Sequence, residues 1–190
     1  MSFLINPFAF AVAGGDFEAI SSVTVGSGGA ASIEFTSIPS TFAHLQVRYV
    51  VRSARASNTR DNMALRVGNG SIDTGSNYAY HFIQGLGASA GAGALASASY
   101  KLLGYAPASS ATANVFGAGV VDILDYANTS KTKTSRALSG VDNNGDQYLG
   151  IDVSSGLWNS TSAIDSIRIY AFNANLVQHS TAALYGVKAP

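Results

Sequence analysis

The chain has 190 residues, no cysteine, a formal net charge of 0 and 12% charged residues, against about 25% in an average soluble protein. Disulfides, thiolate metal sites and cysteine nucleophiles are excluded, and a neutral chain has no electrostatic footprint for duplex nucleic acid, which is held by neutralising phosphates. One domain of this length buries roughly 70% of its unfolded surface, so core size is not limiting.

Residues 1–13 are apolar and uncharged. They lack the basic start of a secretory signal, Asn6-Pro7 interrupts the run, and the run is short of the ~20 residues a membrane span needs. The segment reads as an extended anchoring arm, residues 1–18. Its Phe3, Leu4, Ile5, Phe8 and Phe10 would be costly in water and should dock on a neighbouring subunit or on the chain's own body. Residues 19–190 read as one β-sandwich domain.

Strands are expected at 20–25 and 32–36, joined as a hairpin through Gly26-Ser27-Gly28-Gly29. In 44–53, Leu45, Val47, Tyr49 and Val51 alternate with His44, Gln46, Arg48 and Arg52; a strand sends successive side chains to opposite faces, so one face is dry and the other wetter. A polar loop at 54–62 leads to strands at 63–67 and 78–83. Residues 85–99 are low-complexity and uncharged, a composition that cannot pin one conformation alone. Strands follow at 100–105, 115–126, 131–140, 148–154, 164–171 and 182–188. The run 115–126 is apolar on both faces, as in a central strand, and its Gly117 and Gly119 mark close approach of another group. About ten strands and no helix long enough to carry chemistry imply an all-β, single jelly-roll-like β-sandwich with an N-terminal arm.

No motif here defines a reaction. Asp142-Asn-Asn-Gly-Asp146 resembles the front half of a calcium loop, but Gln147 and Val153 stand where an EF-hand needs Gly and Glu, so it reads as a turn. His44, His81 and His179 have no metal-ligand spacing, and no Gly-x-Ser-x-Gly elbow occurs. Asp122 and Asp125 are read as pairing with Arg48 or Arg52 rather than forming a glycosidase pair. Trp158, in what reads as a turn at 156–159, is the best exposed candidate for stacking on a sugar, although core or subunit contact is the favoured use of such a ring. Leu86 and Leu95, in the 85–99 segment, are further candidate surface contacts. No metal or cofactor is expected.

Several segments together carry a family resemblance: Val23-Thr-Val-Gly-Ser-Gly-Gly29, Ile33-Glu-Phe-Thr-Ser-Ile-Pro39, His44-Leu-Gln-Val-Arg48 and Asn114-Val-Phe-Gly-Ala118. Asp122 to Asn128, Leu138 to Asp142, Ser155 to Trp158 and Ala183 to Val187 extend it, so that it covers about Ile20 to Lys188. These stretches resemble a family of tailed-phage virion proteins, common in marine and cyanobacterial phages. The resemblance implies a non-enzymatic virion component with a β-sandwich head and carries no catalytic residue over. The expected role is a capsid-surface decoration or cement protein, a homo-oligomer with a trimer favoured, contacting the major capsid protein or tail proteins through the arm. The alternative is a tail-associated fibre or knob that binds a host-surface glycan.

Overall fold

The computed structural model describes residues 16–142 and 150–188. Their thirteen strands are β1 (Phe17–Thr24), β2 (Ile33–Phe35), β3 (His44–Val51), β4 (Arg60–Asn69), β5 (Ser71–Ile72), β6 (Tyr78–Leu86), β7 (Ser89–Ala98), β8 (Lys101–Pro107), β9 (Gly117–Leu124), β10 (Lys133–Gly140), β11 (Gly150–Trp158), β12 (Ser166–Ala171) and β13 (Thr181–Val187). They form two antiparallel sheets. The larger has eight strands in the order β1-β13-β3-β9-β10-β11-β6-β7; the smaller has the order β2-β12-β4-β5, with β8 also paired to β4. The all-β class is as the alternation implies, with more strands than the ten expected.

The two sheets face each other across one core. Leu45, Val47, Tyr49 and Val51 of β3, with Val121 and Ile123 of β9, point inward from the large sheet, and Ile33, Met63, Leu65, Ile167 and Ile169 meet them from the small one. The Tyr49 hydroxyl crosses the gap to donate to the Leu103 carbonyl of β8 at 3.3 Å. Gly119 is required where the sequence marked close approach: a Cβ there would overlap the Tyr49 ring. β9 is central, flanked by β3 and β10.

Two local expectations are corrected. The segments 20–25 and 32–36 do not form a hairpin: β1 pairs with β13, whereas β2 pairs with β12 in the other sheet. The Gly26–Gly29 turn carries the chain between sheets, with Gly29 at φ +70° and Ala30 bridged to Leu176. Crossing over lets β2 bury Ile33 and Phe35 beside Ile169 and Ile167. The 85–99 segment, in turn, is no loop: β7 pairs with β6 along most of its length and forms one edge of the large sheet. Its glycines are what the register demands. A Cβ at Gly93 would lie 2.7 Å from the Phe82 ring, and one at Gly91 3.1 Å from the Gln84 amide, so both longer side chains lie across the edge strand.

The buried Arg52 is one fixture of this architecture. Its guanidinium donates to the carbonyls of Thr112 (2.7 Å), Val115 (2.8 Å), Ala111 (2.9 Å) and Ser109 (3.3 Å), tying the connection between β8 and β9 to the end of β3. Lys133 does the same elsewhere, donating to Asn128, Lys131 and Thr161 carbonyls at 2.6, 2.9 and 3.1 Å. Both charges are buried by exchanging water for backbone oxygens, which is the condition under which buried cations are tolerated.

Candidate functional site

The outer face of the large sheet, turned away from the core, is the most distinctive surface among the described residues. Its register can be read strand by strand. One row runs Thr181, Val50, Ala118, Gly140, Ile151, Gly85, Ala90, and the next runs Ala183, Arg48, Val120, Leu138, Val153, Ile83, Ala92. Together they make an apolar band across seven strands, from β13 to β7. Val50 is 43% exposed, Leu138 45%, Val153 46%, Ile151 53% and Ile83 61%. Single exposed apolar residues are ordinary; a contiguous set in register marks a surface built for contact.

The third row is polar and braced within itself: Tyr185, Gln46, Asp122, Arg136, Ser155, His81. Gln46 Nε2 donates to Asp122 Oδ1 at 2.8 Å, and Arg136 Nε donates to Asp122 Oδ2 at 2.9 Å. Arg48 Nε donates to Gln46 Oε1 at 2.7 Å, and its guanidinium lies 5.0 Å from the centre of the Tyr185 ring and 5.5 Å from that of Phe17. Arg48 is therefore drawn toward β13 and β1, leaving its aliphatic stem over the band. The expected pairing of Asp122 and Asp125 with Arg48 or Arg52 is thus corrected. Asp122 pairs with Arg136, and Asp125, at φ +48° beyond the end of β9, pairs with Lys131 and lies 3.4 Å from His44.

Beneath this face, on the inner side, three oxygens are left over. Ser139, Asp152 and Gln84 are direct cross-strand neighbours on β10, β11 and β6, and Ser139 Oγ, Asp152 Oδ1 and Gln84 Oε1 accept or donate no hydrogen bond among the described residues. Burial pushes the Asp152 carboxyl up to about 6, against the opposing pull of Arg60. Nearby, burial pulls the Lys101 amine down to about 7. Its Nζ donates to Ser154 Oγ at 2.8 Å and to the Leu102 carbonyl at 3.2 Å. Both groups are buried, Asp152 at 3% and Lys101 at 1% exposure.

The residues singled out in the sequence are dispersed. Phe3, Leu4, Ile5, Phe8 and Phe10 lie outside the described residues, as do residues 143–146 of the calcium-like turn. Trp158 is not in an exposed turn: it ends β11, is 6% exposed, and its indole N–H donates to Asp73 Oδ2 at 2.7 Å. Its ring fills the core and is closed to a sugar. Leu86 and Leu95 share the inner side of the sheet with their partners' side chains, opposite the apolar band; Leu95, paired with Tyr80 near the β7 edge, is half-exposed. Among the described residues no group of three or more His, Asp or Glu could hold a metal ion, and no helix is long and apolar enough to cross a membrane. The band leaves no mark of its own in the sequence: Ile151 and Val153 are residue types common in cores, yet Asp152 and Ser154 are the ones that point inward.

Comparison with protein-family models, with curated proteins and with solved structures returns no match for this chain.

Proposed function

We propose that this chain is a non-enzymatic structural protein of a tailed-phage virion, a capsid-surface decoration or cement protein whose apolar N-terminal arm binds the shell. The observation that carries the reading is the outer face of the large sheet: an apolar band, rich in small residues and bearing five exposed large aliphatic side chains. Such a surface is suited to packing against protein and has no chemistry to offer a substrate. The strand order supports a jelly-roll reading. Without β5 and the β6–β7 and β10–β11 hairpins, the two sheets become β1-β13-β3-β9 and β2-β12-β4-β8. That eight-stranded pattern is widely used in viral capsid and lectin domains. The resemblance of those segments to tailed-phage virion proteins supports the same reading. A subunit that binds only the assembled shell stabilises it by mass action.

The glycan-binding alternative loses the contacts it was built on, since Trp158 is buried and residues 89–98 form strand β7 rather than a loop. The test is copy number per virion, measured by quantitative mass spectrometry against the major capsid protein. Hundreds of copies in a ratio fitting the shell lattice are expected; a few to a few dozen would move the protein to the tail or a vertex and overturn the decoration role. Deleting residues 1–13 should abolish incorporation while leaving the folded domain intact.

A further inference from the structure

We infer that the apolar band of the large sheet is the contact between two copies of this chain, packed outer face to outer face about a two-fold axis that runs along the strands between β9 and β10. The inference rests on reading that face as a packing surface, and it names the occupant.

The argument is one of self-complementarity. β9 and β10 are the fourth and fifth of the eight strands, so this axis lies at the middle of the sheet. Rotation about it lays each row of one copy on the same row of the other with the strand order reversed: β9 on β10, β3 on β11, β13 on β6. The register then fixes every pairing. In the first row Val50 meets Ile151, and Ala118 meets Gly140. In the second, Val120 meets Leu138, the stem of Arg48 meets Val153, and Ala183 meets Ile83, the most exposed of the large aliphatics, so apolar side chains oppose apolar ones in both rows. In the third, Asp122 meets Arg136 and Gln46 meets Ser155. Each copy thus presents an acid to a base and a base to an acid on either side of the axis.

Size agrees. Six strands at about 4.8 Å and three rows at about 6.8 Å cover roughly 600 Å² on each copy, about 1,200 Å² in total, which meets the lower bound for a specific interface. Antiparallel sheets pack face to face with their strands within about 30° of each other, so the strand-parallel axis is compatible with sheet twist. With a formal net charge of 0, the copies do not repel each other. The contact is isologous and closes at two copies, in contrast to the trimer favoured by the sequence reading.

The test is mass in solution, by light scattering on the full chain at about 100 μM, above the dissociation constant of a weak micromolar homodimer. The expected value is twice 19.5 kDa. Ile151→Asp, at an exposed position, should return a folded monomer whose unfolding midpoint matches that of the unaltered chain diluted below its dissociation constant. Because the chain has no cysteine, a second readout is free of background: on mixing, V120C and L138C should cross-link to each other in preference to themselves. A monomer or trimer for the unaltered chain, a dimer indifferent to I151D, or no preferential cross-link would each overturn the inference. None of these bears on copy number in the particle, so this contact and the virion role fail separately.

Discussion

Replacing Asp152 with Asn should stabilise the protein, and increasingly so as pH rises. Asp152 is 3% exposed and has an unpartnered Oδ1 beside Ser139 and Gln84, and burial raises its titration from 3.8 to about 6. At about 1.4 kcal/mol per tenfold change, holding this carboxylate ionised in the fold costs about 3 kcal/mol. The sign follows from proton binding. Between pH 4 and 6 the folded chain binds more protons here than the unfolded chain, so this group's contribution to stability falls as pH rises through that window. Above 6 the full penalty applies. Asn removes the ionisation and supplies an N–H that can serve the orphaned Ser139 hydroxyl. For a domain of this size, about 2–3 kcal/mol corresponds to a midpoint rise of roughly 4–12 °C. Thermal unfolding of the unaltered chain and D152N at pH 4 and pH 8 is the assay. The curves should nearly coincide at pH 4 and separate at pH 8. A variant less stable at pH 8, or a gap independent of pH, would refute the account of Asp152 as a buried charge whose desolvation outweighs the pull of Arg60.

Three further outcomes are expected. Lys101→Met should stabilise by up to about 5 kcal/mol below pH 7, where the buried amine must ionise in the folded state, and this gain should fade as pH rises from 7 toward 10.5; Ser154 keeps its bond to the Leu102 carbonyl at 3.2 Å, so no orphan is created. Chemical denaturation at pH 6 and pH 10 reads the difference. Arg52→Met strands four carbonyls and should cost about 3–5 kcal/mol, with faster amide exchange confined at first to residues 109–116. Gly119→Val should cost about 1–3 kcal/mol or more, because its side chain would occupy the space of the Tyr49 ring; the double variant with Tyr49→Ala should recover part of the loss in a denaturation cycle.

Much of the architecture is legible in the chain, and the misreadings share a cause. The strands β3, β4, β8, β9, β10, β12 and β13 fall close to where alternation or apolar runs predict them, because those signals depend only on local chain geometry. The 85–99 segment misleads because composition suggests disorder, whereas its glycines answer the close approach of Phe82 and Gln84 from β6. Trp158 misleads because a Gly-Leu-Trp-Asn stretch looks like a turn until Asp73 is seen to hold its indole. The missed band has the same origin: Ile151 and Val153 carry the right residue types for a core.

Period-two alternation and the absence of cysteine determine, by themselves, an all-β chain with no thiol chemistry. They cannot determine which side of each strand is covered, because alternation looks identical whichever face meets the core. Pairing between strands far apart in the chain decides that. It turned Asp152 and Ser154 inward and Ile151 and Val153 outward, aligning Val153 with Leu138 and Ile83. The outer face exists only once those strands are side by side.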